Sequence, residues 1–390
     1  MLRQDRISSL SNWLAAGAPG PERFDDVVCE IAKRIRSAGV PLELFAIYKT
    51  MMHPELPGRL DLWTAKSGLK VHIGDQDMMA RNDLWVGTPA QVCMATGRAV
   101  VYTPGENPEF DAKQLMQNLQ ERGYTQVAYF PLHSRYTPAT SVVAFGVKRS
   151  GGFTEEEHLA LRRLQAQIAR VTEGFIQSES TVAVLSTYVG RDAGQKVLTG
   201  NIRRGQTETI PAIVLFVDVK NFTVLSNELP PSDIIEMLNR FFAELDDAVG
   251  PQGGEILKLI GDGALCIFPT PDDFAAQASA ATCALAALED MARALSSVSG
   301  WPADGFRAAL HLGDVHYGNI GSTKRLDFTV IGPTVNLASR LLQVATETGE
   351  DYVGSGTFAG LLDEELRPLG SRTLKGFEAP TEVYALDLGQ

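Results

Sequence analysis

The sequence predicts an α+β protein built as two domains joined by a helical segment. Three observations carry this. With 390 residues, 44% apolar and 21% charged, the chain has enough apolar material for two full cores. Its C-terminal half alternates β-rich apolar runs with helical patterns irregularly and holds a hairpin signal. Between the halves, apolar residues recur at alternating spacings of three and four. The divisions fall at 1–153, 154–204 and 205–390.

In the first segment, Phe24 to Ala38 places Val27, Val28, Ile31, Ala32 and Ile35 on one helical face, and Leu42 to Ile47 then reads as a strand. Ala128 to Leu132 and Thr140 to Gly146 read as two more strands, with a Ser/Arg/Thr/Pro turn between them. The lone Cys93 between Val92 and Met94 reads as a core residue before it reads as a reactive thiol. His53 and His72 lack the paired spacing of a metal or haem site. The element order, with WVGTPAQVCMATGRAVV from Trp85 and GGFTEEEHLALRRLQAQIA from Gly151, resembles a GAF-type sensory domain, which implies a small-molecule ligand of unknown identity.

Thr154 and Glu157 form a capping-box signature. Behind them Leu161, Leu164, Ile168, Val171, Phe175, Val182, Leu185 and Val189 keep nearly four heptads, the pattern of a parallel coiled coil. A helix of that length would reach roughly 50 Å at 1.5 Å per residue. Gly174 is a point where it would break or flex, and the alternative is a helix packed back on its own domain. Residues 188–205 are rich in glycine and basic residues: the long helix should stop near Gly190, and a short element should run from Ala193 to Leu198. This stretch reads as a joint.

The third segment reads as strand (213–217), helix (about 231–249), hairpin (255–268), Ala-rich helix (272–297), strand (306–312), a ribbon around 315–331, helix (333–345), and strands near 352 and 382–386, with helices on one face of the sheet. Asp218 ends the apolar run Ile213 to Val217, and Asn221-Phe222-Thr223 follows it. A carboxylate there can hold a divalent metal beside a phosphate, and it can equally cap the following helix. Gly261-Asp262-Gly263 sits between two β-rich runs, so Asp262 belongs at a hairpin tip, where it would be a second metal ligand or simply a turn residue. Two carboxylates on adjacent strand ends are what a pair of Mg²⁺ ions needs beside substrate phosphates.

Five stretches in order, LFVDVKNFT, EILKLIGDG, RAALHLGDVHYGNIG, DFTVIGPTVNLASR and LKGFEAPTEVYAL, resemble the catalytic domain of the class III nucleotidyl cyclases across about residues 205–388. The resemblance implies a palm-like sheet and cyclisation of a nucleoside triphosphate with two Mg²⁺ or Mn²⁺ ions per site. It implies that Asp218 and Asp262 hold the metals and that the backbone at Phe222 and Thr223 faces the phosphates. Lys258 and Thr329 would read the base, Lys258 donating to adenine N1, which accepts a hydrogen bond where guanine N1 carries a hydrogen. Asn336 would orient the ribose and Arg340 would spread the transition-state charge. The two lie four apart and share a face if the segment is helical. Lys375 matches a lysine near the terminal phosphates, although Phe377 stands where the family usually has a second lysine; Asn221 and Pro333 also depart from its commoner residues. Thr329 in place of Asp resembles the bicarbonate-responsive subgroup. A family site built between two catalytic domains implies a homodimer here, since one chain carries both residue sets. The activity expected is ATP to cyclic AMP and pyrophosphate. Guanylate cyclase and a catalytically dead nucleotide-binding regulator are the alternatives. Diguanylate cyclase is disfavoured because Gly253-Gly254-Glu255 lacks the acidic-Phe continuation of that signature.

The net charge of −12 and pI near 5.1 argue against a nucleic-acid partner. Four scattered cysteines without CxxC spacing fit a reducing cytoplasm. The N-terminus lacks the apolar core of a signal peptide, and charges interrupt the Ala-rich stretch Phe274 to Leu295, so no membrane segment is expected.

Overall fold

A computed structural model describes residues 2–50, 58–74, 85–111, 113–134, 140–298, 301, 305–363 and 365–388. His53 and most of the turn expected after Leu132 lie outside them. The chain divides into two compact units, Met1–Val184 and Leu185–Gln390.

In the first unit, strands β1 (Leu42–Thr50), β2 (Gly58–Thr64), β3 (Gly68–Gly74), β4 (Val100–Tyr102), β5 (Gln126–His133) and β6 (Thr140–Val147) form one antiparallel sheet in the order β3-β2-β1-β6-β5-β4. Alternation along β1 and β6 covers both faces. Phe45, Ile47, Val143 and Phe145 pack against the helices Gln4–Ala15 and Phe24–Ser37, while Leu44, Ala46, Val142 and Ala144 pack against Cys93 and Met116. Cys93 is fully buried and its thiol is pushed up to about 12 by burial, as a core residue should be, and His72 is exposed on β3.

The long helix runs unbroken from Glu155 to Val189 and passes through Gly174 without interruption. Both halves of its capping box form: Thr154 Oγ1 accepts from the Glu157 amide at 3.2 Å, and Glu157 Oε2 accepts from the Thr154 amide at 2.8 Å. Leu161, Leu164 and Ile168, assigned from the heptads to a coiled coil, are instead completely buried in the core of the first unit. An apolar stripe that packs on a sheet has nearly the spacing of one that packs on a partner helix, which is why one pattern fits both readings.

In the second unit, β7 (Thr207–Val219), β8 (Glu255–Ile260), β9 (Gly263–Pro269), β10 (Phe306–Gly321), β11 (Leu326–Ile331), β12 (Tyr352–Ser355), β13 (Arg367–Arg372) and β14 (Thr381–Ala385) make one sheet. Its order is β13-β14-β12-β10-β7-β9-β8, with β11 on β10. Among the described residues only β10 and β12 pair in parallel. Helices cover both faces rather than one. Ile213, Leu215 and Val217 meet Phe241, Leu245 and Leu288 of the helices Pro231–Val249 and Phe274–Ser296; Ala212 and Val214 face Ala338 of Pro333–Thr348 and Ala193 of Arg191–Leu198. Among the described residues no helix is long and apolar enough to cross a membrane.

Candidate active site

The two predicted carboxylates meet at the end of β7. Asp218 pairs in register with Gly263, and the loop between β8 and β9 is only Gly261 and Asp262, closed by Ile260 opposite Gly263. Gly261 at φ +64° supplies the left-handed first position that a two-residue hairpin of this kind requires. Gly263 is a glycine for a different reason: a Cβ there would lie 2.4 Å from the Val217 carbonyl oxygen and 3.2 Å from Asp218 Cβ. The Val219 amide donates to the Asp262 carbonyl at 3.2 Å, fixing the loop against β7.

Asp218 is pushed up to about 6, chiefly by burial and further by the Asp262 charge, against the opposing pull of Arg307. Its Oδ1 is buried with no hydrogen-bond partner among the described residues, and the same holds for Nε of Arg307. Arg307 stands directly opposite Asp218 in the β7–β10 ladder. Only the strand register brings Arg307 there.

After Asp218 the chain turns through Asn221, at φ +55° and ψ +24°, into the short helix Phe222–Glu228. Asn is among the few non-glycine residues that tolerate this left-handed conformation. Phe222 is half-buried beside the core, and Thr223 is exposed, its carbonyl accepting from Ser226 Oγ at 3.0 Å and Asn227 Nδ2 at 2.8 Å.

Lys258 and Thr329 come from β8 and β11. Leu257, Phe328 and Val330 point into one core, so Lys258, Asp327 and Thr329 face the other way. Lys258 Nζ bonds Asp327 Oδ2 at 2.8 Å, which holds the Asp327 carboxyl below its ordinary range. Asp327 has one signal in the sequence, its position two residues before Thr329 and therefore on the same strand face. Thr329 is 6% exposed.

Asn336 and Arg340 do lie on one helix, as their spacing predicted, with Asn336 exposed and Arg340 bonded to Gln343 at 3.3 Å. That helix starts over Gly313 and Asp314, the latter accepting from Thr334 Oγ1 at 2.6 Å. Gly313 and Asp314 pair with Ala212 and Pro211. Asp218 lies six or seven residues farther along β7, roughly 20 Å at 3.3 Å per residue. Lys375 is exposed in the turn before β14. Within one chain, then, the carboxylates form one cluster and the Lys258–Asp327–Thr329 set another. Among the described residues no hydrogen bond or ion pair ties Asn336, Arg340 or Lys375 to either.

The family model described as the adenylate and guanylate cyclase catalytic domain matches residues 206–386. Those residues are a class III cyclase catalytic domain. The chain is 26% identical over 226 residues to adenylate cyclase 1 of Rhizobium meliloti, covering 56% of this chain and 34% of that protein. An uncharacterized protein of Mycobacterium tuberculosis is 29% identical over 227 residues, covering 57% of this chain and 41% of its own length. This chain thus spans 34% and 41% of the length of these two curated relatives. Among solved structures, the adenylyl cyclase CyaB from P. aeruginosa is 28% identical, covering 47% of this chain and 96% of that one with a TM-score of 0.40.

Cyclases of this class generally use two Mg²⁺ or Mn²⁺ ions. Among the described residues no group of three or more His, Cys, Asp or Glu could hold a metal alone. The donor set still fits, because Mg²⁺ is held by one or two carboxylates together with substrate phosphates, and Asp218 offers an oxygen with no partner among the described residues.

Proposed function

We propose that this protein is an adenylate cyclase that converts ATP to 3′,5′-cyclic AMP and pyrophosphate as a homodimer. The observation that carries the reading is the β8–β9 hairpin. Its tip sets Asp262 against Asp218, and its first strand holds Lys258 in a bond to Asp327. One hairpin thus links a cation-binding end to a donor–acceptor pair of the kind that reads a base edge.

Asp218 and Asp262 would hold two divalent cations, which when bound neutralise the triphosphate and favour the ribose oxyanion. Lys258 donates to adenine N1 and Asp327 accepts from the N6 amino group. Guanine presents the opposite polarity at both positions, and an unpaired buried group costs about 1–3 kcal/mol. Asn336 orients the ribose so that its 3′-oxygen faces the α-phosphorus, and Arg340 spreads charge there as pyrophosphate leaves. Phe222 and Thr223 border the phosphates through their backbone, and Lys375 reaches the terminal ones. Thr329 is the candidate for a bicarbonate response. The first unit serves as a GAF-like sensory domain for a small molecule, and the whole works in the cytoplasm.

Cyclic nucleotide production by the purified chain, with ATP or GTP and with Mg²⁺ or Mn²⁺, tests this. Cyclic AMP formation that Asp262→Ala reduces by a hundredfold or more is expected. Cyclic GMP as the main product would refute the base assignment. Nucleotide binding without any product would favour the dead-regulator reading.

A further inference from the structure

The helix Arg191–Leu198 begins one residue after the long helix ends, and its N-terminal amides are capped from a distant strand. Gly190 occupies the N-cap position and has no side chain to offer. Glu255, the first residue of β8, does the work: its Oε1 accepts from the Asp192 amide at 2.9 Å, and its carboxylate also accepts from the Ala193 amide. Gly190 is at φ +100°, and a Cβ there would stand 2.9 Å from the same Glu255 oxygen, so only glycine lets the carboxylate approach.

Tyr317 of β10 closes the arrangement. Its hydroxyl lies 2.9 Å from Asp192 Oδ2 and 3.1 Å from Glu255 Oε2, joining helix and strand. Its ring packs edge-on against Phe328 with centroids 4.8 Å apart. Lys196 Nζ sits 4.2 Å over that ring while pairing with Asp192 at 3.2 Å and Glu208 at 2.6 Å. Phe328 lies between Asp327 and Thr329 on β11, and Glu255 is three residues before Lys258 on β8.

The clamp therefore grips the two strands that carry the Lys258–Asp327 pair. We infer that Glu255 and Tyr317 are positioning residues for base recognition, holding β8 and β11 in the relation that keeps Lys258 on Asp327, with the Arg191–Leu198 helix as the third element of the clamp. This rests on the base-reading role proposed for Lys258.

The test uses the full chain with Mg²⁺ and the α,β-methylene analogues of ATP and GTP, so that binding is read without turnover. Calorimetry gives the affinity ratio between the two analogues, and hydrogen exchange follows the amides of residues 192–198. Glu255→Gln and Tyr317→Phe keep side-chain shape and should fold. Each is expected to lower the ATP-to-GTP ratio by about three- to tenfold, the worth of one hydrogen bond, and to speed exchange in the helix. Lys258→Ala should reduce the ratio without speeding that exchange. Faster exchange with an unchanged ratio in the Glu255 and Tyr317 variants would make the clamp merely structural and overturn the inference. A ratio that Lys258→Ala also leaves untouched would overturn the base-reading role itself, and the positioning role with it.

Discussion

At the scale of single residues, the site turns on how one buried carboxylate is kept usable. Burial and the neighbouring Asp262 both favour the protonated form of Asp218, and Arg307 across the ladder opposes them. A divalent cation needs the ionised form. Replacing Arg307 with Met removes the opposing charge and moves the Asp218 pKa further above about 6. At a pH where the wild-type carboxylate is already ionised, the variant must still lose a proton before it binds metal. The expected result for Arg307→Met is a half-saturating Mg²⁺ concentration several-fold higher near pH 6.5, converging on wild type by about pH 9. Mg²⁺ titrations of activity across that range check it. A uniform loss at every pH would mean that Arg307 acts on the substrate and not through Asp218.

At the scale of elements, what could be read from the sequence depended on whether a segment's role is local. The run Ile213 to Val217 and the Gly-Asp-Gly hairpin announce themselves by composition, and both stand where expected. β7 begins six residues earlier than its apolar run because the polar stretch from Thr207 is held by pairing with β10 up to Gly318, which no local pattern shows. The strand expected at 306–312 runs on for the same reason into the first arm of the expected ribbon, as far as Gly321, and β11 forms the ribbon's second arm. β13, RPLGSR, was missed because an edge strand with Pro, Gly and two arginines lacks alternation. Asp218, Asp262 and Lys258 stand in motifs; Arg307 acquires meaning only through cross-strand register, and Asp327 through the side-chain bond it accepts from Lys258 on β8.

One element-level contact makes a pH prediction. His311 on β10 is buried, with Nδ1 2.7 Å from Ser355 Oγ at the end of β12, and burial pulls it down to about 4. In the unfolded chain it titrates near 6.5. Between those values the unfolded state binds a proton that the folded state refuses. Stability that is fully present above about 6.5 is therefore lost as pH falls toward 4, by about 3 kcal/mol. Urea unfolding at pH 7 and pH 4.5 should show this loss, and His311→Asn should flatten it. An equally steep loss in the variant would place the acid sensitivity elsewhere.

At the scale of the whole molecule, the separation of residue sets within one chain decides how the site must be assembled. Asp218 and Asp262 lie at one end of β7, whereas the helix bearing Asn336 and Arg340 starts over the register of Pro211 and Ala212. If one chain supplies the carboxylates and its partner the Asn and Arg, an Asp218→Ala chain and an Arg340→Ala chain are each inactive alone. They complement when mixed. In a heterodimer one of the two sites collects both lesions and the other collects neither. Random re-pairing at equal amounts makes half the dimers mixed, so recovery should approach about a quarter of wild-type activity, in proportion to the mixed dimer formed. Differently tagged chains allow the mixed species to be isolated and its fraction measured. Mixed dimers without recovered activity would show that each site is completed within a single chain, which would require the Pro333–Thr348 helix to close the distance to Asp218 by moving on its own sheet.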